Sequence, residues 1–340
     1  YEITIRPQDG SGDERQLTAD SGEWILQPVW SPDSKKMAFS DKMNRLWALD
    51  VESGAKTLVD RSSYAGVGSY EFSPDSKWIC YTKESKNLKT IICAYSLDDK
   101  KVLRLTDGGA DDREPTFSKD GKYLFFVSSR DFDYKYREFR SRLYVATLSK
   151  ETPSPLAPLS DEEKPEPEEK PKEGKKNEDD KSVVVVEIER IDAEGFPGRV
   201  VVLPEEQGRY YGLTAVEGGF VYLTGDNELK RYDLEKRKSE KILEKVNNYQ
   251  VAAKGKKFIY QSGSDYGIAG LEPGQKAGAG KLDLGRMELR IDPQAEWRQI
   301  YFDAWRIMRD WFYDPGMHKV DWERMRERYA VLLPHLAHRA

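Results

Sequence analysis

The chain has 340 residues, 34% of them charged and 38% hydrophobic, with a net charge of −5 and a mean hydropathy of −0.76. No run approaches the roughly 20 consecutive apolar residues that a membrane-crossing helix needs. With 55 basic against 60 acidic residues there is no basic footprint for nucleic acid either, so neither a membrane nor a nucleic-acid partner is expected.

Residues 1–20 read as the outer strands of a blade-like sheet, with Tyr1–Ile5 alternating at period two and Arg15–Thr18 pairing with it. A recurring turn then sets the pattern. Val29-Trp30-Ser31-Pro32-Asp33-Ser34-Lys35 precedes an apolar run ending at Phe39, and Glu71-Phe72-Ser73-Pro74-Asp75-Ser76-Lys77 precedes one ending at Tyr81. A third copy, Thr116-Phe117-Ser118-Lys119-Asp120-Gly121-Lys122, leads into Tyr123–Phe126. Proline presets φ at the first central position, and Ser, Asp and Gly favour the reversal, so each copy predicts a β-hairpin. The copies recur about every 40–45 residues, the period of four-stranded propeller blades. Trp30, Phe72 and Phe117 are expected to pack the blades. Outer hairpins follow the first two copies, at Arg45–Val59 and Thr90–Thr106. Cys80 and Cys93 fall on consecutive strands, where they could lie close; two cysteines make no disulfide framework, and both read as reduced thiols.

The third copy is interrupted. An aromatic and basic stretch, Asp131–Arg142, precedes an extra strand-like run, Leu143–Leu148. A proline-rich piece and a charged tract follow; residues 161–181 hold ten acids and six bases and no apolar residue, so 159–182 reads as a disordered insertion. The blade is expected to resume as a strand at Val183–Ile188 and to close at Arg199–Leu203. One blade plus this insertion, rather than a lost blade, accounts for the gap before the next turn. Two degenerate copies keep a glycine in the turn, at Gly218 and Gly255, making five turn motifs in all.

After Asp292-Pro293 the period becomes helical. Ala295–Phe312 places Trp297, Ile300, Trp305, Met308 and Trp311 on one broad face that reads as core, with Asp292 and Glu296 favouring the helix N-terminus. A second helix is expected from Trp322 to Leu333, stopped by Pro334. No Gly-x-Ser-x-Gly elbow, phosphate loop or dinucleotide fingerprint is present; in Gly263-Ser264-Asp265-Tyr266-Gly267 the serine stands one place early. The three histidines, His318, His335 and His338, lack a nucleophile motif beside them, and the His335/His338 pair reads as incidental rather than metal-binding. No catalytic, cofactor-binding or metal-binding residue is assigned, and no cofactor is expected.

The segment Arg290-Ile291-Asp292-Pro293-Gln294-Ala295-Glu296-Trp297, continued by Asp303-Ala304-Trp305-Arg306, Phe312-Tyr313-Asp314-Pro315, Met317-His318 and Val320-Asp321-Trp322, resembles the junction of tricorn proteases at which the second β-propeller hands over to the catalytic core. Gly208-Arg209-Tyr210-Tyr211-Gly212-Leu213 and Tyr266-Gly267-Ile268 are similar to that propeller. The resemblance implies an all-β fold: residues 1–291 a β-propeller of five full blades and a partial one, the parent having seven, and 292–340 the first helices of the protease core. It also implies a serine peptidase acting on oligopeptides, a cytoplasmic homo-oligomer (a hexamer in the family) and aminopeptidase partners, with the catalytic serine and histidine lying outside this span. The propeller would be a channel that admits or releases peptides. Two rivals use the same turns. One is a non-enzymatic TolB-like propeller that binds a protein or peptide. The other, a prolyl-oligopeptidase-type enzyme, would require a nucleophile elbow where this chain has Trp-rich helices.

Overall fold

The computed structural model describes residues 2–19, 22–133, 138–158, 186–253 and 255–336. They form two compact units, Tyr1–Leu282 and Asp283–Ala340. The first is a succession of antiparallel sheets, each meandering from an inner to an outer strand. A two-stranded sheet, β1 (Thr4–Ile5) with β2 (Arg15–Gln16), comes first. Blade 1 is β3 (Ile25–Trp30), β4 (Lys36–Asp41), β5 (Arg45–Asp50) and β6 (Lys56–Arg61); blade 2 is β7 (Gly68–Phe72), β8 (Trp78–Glu84), β9 (Thr90–Ser96) and β10 (Lys101–Arg104). Blade 3 is β11 (Asp112–Phe117), β12 (Tyr123–Asp133), β13 (Glu138–Thr147) and β14 (Val200–Val202); blade 4 is β15 (Tyr210–Val216), β16 (Gly219–Thr224), β17 (Leu229–Asp233) and β18 (Lys238–Leu243). Blade 5 has three strands, β19 (Asn248–Val251), β20 (Lys257–Ser262) and β21 (Asp265–Gly270), and a single bridge from Gly267 to Lys281 holds its outer position. The five-bladed propeller arrangement is the one the turn motifs predict.

The turn chemistry is as the sequence implies, repeated with the same atoms. In each of the first three copies the serine hydroxyl donates to the aspartate two residues on: Ser31 to Asp33, Ser73 to Asp75 and Ser118 to Asp120. The fourth turn residue is left-handed each time, at Ser34 (φ 59°), Ser76 (φ 60°) and Gly121 (φ 68°).

The core lies between blades rather than within them. One apolar cluster joins blades 1 and 2 around Tyr81 and Ile79; another joins blades 2 and 3 around Trp78, Phe117 and Phe126. A third fills the space between blades 3 and 4 around Phe125, Phe220 and Tyr232. Phe72 and Phe117 are buried as expected, because each packs on the preceding blade. Trp30 departs from that expectation at 47% exposure: the sheet before blade 1 offers only β1 and β2, with no inner strands for the indole to cover. Cys80 pairs across to Ala94 and Cys93 to Tyr81, so the two thiols point to opposite faces of blade 2 and bury in different clusters. Proximity of their strands does not bring them together.

Blade 3 differs most from its sequence reading. Leu143–Leu148 is no extra strand; it belongs to β13, the third strand of the blade. The described part of the expected 183–188 strand, residues 186–188, has no strand pairing and docks instead on blade 2. There the Ile188 amide donates to Asp75 at 2.7 Å, Trp78 Nε1 reaches the Ile188 carbonyl at 3.4 Å, and Ile188 and Ile191 join the cluster between blades 2 and 3. Burying isoleucine side chains between blades outweighs an edge pairing, which β14 already supplies. The expected disordered insertion, 159–182, lies outside the described residues.

Four inner strands carry the same β-bulge. Two residues oppose one at Gln27-Pro28, Ser69-Tyr70, Glu114-Pro115 and Gly212-Leu213, and the first residue of each pair is left-handed. A bulge leaves backbone groups unpaired, and neighbouring blades satisfy them. Tyr70 of blade 2 donates to the Leu26 and Gln27 carbonyls of blade 1 at 2.9 and 2.7 Å. Glu71 of blade 2 accepts from the Phe117 amide (2.6 Å) and the Thr116 hydroxyl (3.1 Å) of blade 3. Burial outweighs these two hydrogen bonds and pushes the Glu71 carboxyl up to about 7.

In the second unit, α1 (Pro293–Trp311) starts at Asp292, whose carboxylate accepts from the Gln294 and Ala295 amides. α2 (Trp322–Ala330) is capped by Asp321 in the same way. It ends before the expected stop; Pro334 sits at the start of a separate 3-10 turn, Leu333–His335, where its missing N–H costs nothing. Trp305 Nε1 donates to the Trp322 carbonyl at 2.9 Å, and Trp322 Nε1 returns a bond to the Trp305 carbonyl at 3.1 Å. Arg309 and Arg326 cover the Trp305 ring, each at 4.8 Å. Of the Trp-rich face, only Trp305 is buried; Ile300, Met308 and Trp311 stay 45–52% exposed.

Two outcomes follow from this packing. A Cβ at Gly121 would meet Ile188 Cγ1 at 2.9 Å on a left-handed backbone, so Gly121→Ala is expected to lower urea stability by about 1–3 kcal/mol. For Glu71 the folded value is raised above the usual 4.5, so its contribution is complete below about pH 4.5 and lost as pH climbs to about 7. Glu71→Gln should therefore gain on the wild type by about 3 kcal/mol between those pH values in chemical denaturation; a constant difference would contradict the assignment.

Candidate functional site

Four antiparallel strands place the second-to-third hairpins and the blade-to-blade connections on one face of the propeller. Between blades 3 and 4 that face holds two adjoining cavities. The connection from β14 to β15 shapes both. Its start is pinned where the Leu203 amide bonds the Leu143 carbonyl (2.9 Å), and its end where the Gly208 amide bonds the Ser141 carbonyl (3.0 Å). In the middle, Glu205 accepts from the Ser239 amide (3.1 Å) and the Tyr222 hydroxyl (3.3 Å). Arg209 is anchored through its backbone by Gly225 (2.9 Å), whose lack of a side chain makes room for the arginine stem.

The first cavity, about 660 Å³, is lined by Arg113, Glu114, Arg140, Ser141, Arg209 and Tyr210 among others. Arg113 comes from β11 one residue before the bulge, and its guanidinium donates to Ser141 Oγ at 3.2 Å. Arg140 comes from the start of β13, toward the tip of the long β12–β13 hairpin, in register with Asp131. Glu114 is the left-handed bulge residue itself; it accepts from the Leu213 amide at 3.2 Å, and burial raises its carboxyl above the ordinary range. Three arginines and one largely buried carboxyl therefore line the same cavity. The second cavity, about 690 Å³, shares Gly208, Arg209 and Tyr210 with the first but adds four carboxylates, Glu205, Glu206, Asp226 and Glu228, against one further cation, Lys230. Tyr210 forms the wall between them: its ring meets Tyr222 edge-on at 5.5 Å, its hydroxyl donates to the Glu206 carbonyl, and burial pushes the phenol up to about 12. Both volumes lie in the roughly 300–1,000 Å³ span of small-molecule sites.

The groups singled out in the sequence lie elsewhere. Ser264 sits in the two-residue turn joining β20 and β21, not on a strand-to-helix elbow. His318 lies in a turn, Met317–Lys319, whose three residues are all left-handed. Its Nε2 is 2.5 Å from the Tyr313 hydroxyl, and its Nδ1 is 3.5 Å from Asp314. The hydroxyl it meets is a phenol, not a serine. His335 is exposed, and His338 lies outside the described residues. Among the described residues no group of three His, Cys, Asp or Glu is arranged to hold a metal ion. The sequence marks the basic 131–142 stretch and carries Arg209 only within the family resemblance, and it assigns neither Arg113 nor Arg209 to a site, because three arginines from separate strands and loops share no local motif.

Radially repeated antiparallel blades followed by a helical unit define a β-propeller protein. Residues 1–272 match the tricorn protease second β-propeller domain, and residues 293–340 match the tricorn protease C1 domain. The chain belongs to the tricorn protease family. It is 29% identical to tricorn protease homolog 1 of Streptomyces coelicolor over 95% of its length, and covers 32% of that relative. It thus spans about a third of the curated relative. In structure it resembles the crystal structure of the tricorn protease, with a TM-score of 0.76, 18% identity and coverage of 96% of this chain and 33% of that one. TolB from Acinetobacter baumannii shares the propeller at a TM-score of 0.50 and 19% identity, over 79% of this chain and 57% of TolB.

The bulge at Gly212 sets the inner wall of this region, and Tyr249 of blade 5 holds it by donating to the Gly212 carbonyl and, at 3.1 Å, to that of Val221. Tyr249→Phe removes the donor from the Val221 carbonyl of a buried strand residue and from the more open Gly212 carbonyl, and is expected to cost about 1–2 kcal/mol in urea denaturation; an unchanged midpoint would contradict this role.

Proposed function

We propose that this propeller is the substrate passage of a tricorn-type serine protease that degrades short peptides, and that residues 1–340 contribute recognition and gating but no catalytic group. The observation that carries the reading is the order of domains in one chain: a second tricorn propeller leading into a C1 domain. The physical role is steric and electrostatic. Blades packed through buried aromatic clusters make a rigid frame, and charged cavities on its connection face suit extended, charged peptides better than folded chains. The family resemblance extends the reading to a cytoplasmic homo-oligomer, a hexamer, whose products pass to aminopeptidases.

The likeness to TolB favours a second reading, a propeller that only binds a protein or peptide. The C1 match argues for the protease, since a binding propeller has no use for core-entry helices. A fluorogenic peptide panel separates the two. The 340-residue chain is expected to turn over none of the panel, while a full-length protein carrying this span should cleave it. Turnover by the chain alone would overturn the absence of catalytic groups, and an inert full-length protein would favour the binding-only reading.

A further inference from the structure

We propose that the two cavities flanking Gly208–Tyr210 form one site for the two charged ends of a short unblocked peptide, the basic cavity taking the terminal carboxylate and the acidic cavity the terminal ammonium. The proposal rests on the peptide-handling reading above and narrows it to peptides with both ends free.

The charge division is carried by groups with capacity to spare. Arg209 is exposed and makes no ion pair among the described residues, and its stem is held against Gly225, so the guanidinium stands at the junction of the cavities. Arg113 donates to Ser141 at 3.2 Å and forms no ion pair among the described residues, although Asp111 and Glu114 lie near enough to feel its charge. Arginine forks match carboxylates with two parallel hydrogen bonds, and such charge-assisted bonds are the strong ones. The Glu114 carboxyl in the same cavity is turned to the Leu213 amide, from which it accepts at 3.2 Å, and burial raises it above the ordinary carboxylate range.

Across the Tyr210 wall the sign reverses. Glu205 is engaged with Ser239 and Tyr222, and Glu228 with Lys230 and Lys241. Glu206 and Asp226 form no ion pair among the described residues and line the same cavity. A carboxylate repelled from this side is drawn to the other, and an ammonium the reverse, so the pair orients a dipolar ligand. An extended tripeptide spans roughly 10 Å from amine to carboxylate, the scale of two cavities sharing a three-residue wall. A ligand with one charge, or a blocked end, loses half of the recognition.

The test titrates trialanine, its C-terminal amide and its N-acetyl form into the 340-residue chain, followed by protein NMR shifts at low salt. Amidation is expected to weaken binding about tenfold or more, and acetylation several-fold. Arg209→Gln should reproduce the first loss and add little to it for the amide; Asp226→Asn should do the same for the acetyl form. Both side chains are exposed and unpaired, so unchanged circular dichroism and melting should accompany the losses. If all three peptides bind alike, or if Arg209→Gln leaves trialanine affinity intact, the two-ended site is overturned while peptide handling stands. If none of the peptides binds, the peptide-handling reading falls and this inference with it.

Discussion

The unit that makes this propeller cohere is a gap in the inner strands of blades 1 to 4. A bulge with a left-handed residue twists the strand and frees backbone groups that no partner in its own sheet can reach. Left buried and unpaired, such groups cost on the order of 1–3 kcal/mol apiece. Tyr70, Glu114 and Tyr249 fill them from adjacent blades, and Glu71 adds a bond to the Phe117 amide two residues past the blade 3 bulge. The blades are thereby joined by directional bonds as well as by apolar slabs, and a blade shifted relative to its neighbour loses both at once. Using carboxylates for two of these contacts has a consequence: each must hold its place where charge is penalised, which ties cohesion to pH.

The same device builds the candidate site. The bulge residue of blade 3 is Glu114, so the strand distortion that stitches blades 3 and 4 also brings a carboxyl to the cavity wall and places Arg113 one residue before it. The β14-to-β15 connection, pinned by Ser141 and Ser239, then lays Arg209 and Tyr210 between a basic and an acidic hollow. Charge separation over so short a distance persists because the side chains come from elements fixed by the blades, not from a mobile loop. Its counterpart on blade 2 is the docking of residues 186–191, which uses a turn aspartate, Asp75, as an anchor and fills the space that Gly121 leaves open.

The helical unit rests on a smaller constraint. Two tryptophans exchange indole-to-carbonyl bonds, and two arginines cover the buried ring of Trp305. This clasp fixes how α1 and α2 meet while leaving most of their apolar surface outward, at Ile300, Ile307, Met308 and Trp311. The helical face is thus patterned like a core yet exposed over most of its length.

What the amino-acid sequence determined alone is what local chemistry controls. The Ser-x-Asp turns, the two-residue alternation of the hairpins around them, the Asp292 start of α1 and the switch to helical period each depend on residues within a few positions of one another, and each appears where the sequence places it. The number of blades and the attachment of the charged tract within the third followed from counting such units. Tertiary structure decided the rest. Which run becomes the third strand of blade 3, why Trp30 stays exposed while Phe72 and Phe117 are buried, and why Cys80 and Cys93 face apart all depend on what the neighbouring sheet offers. So does the site: Arg113, Arg140 and Arg209 are far apart in sequence, and only the packing of blade 3 on blade 4 brings their charges to one cavity.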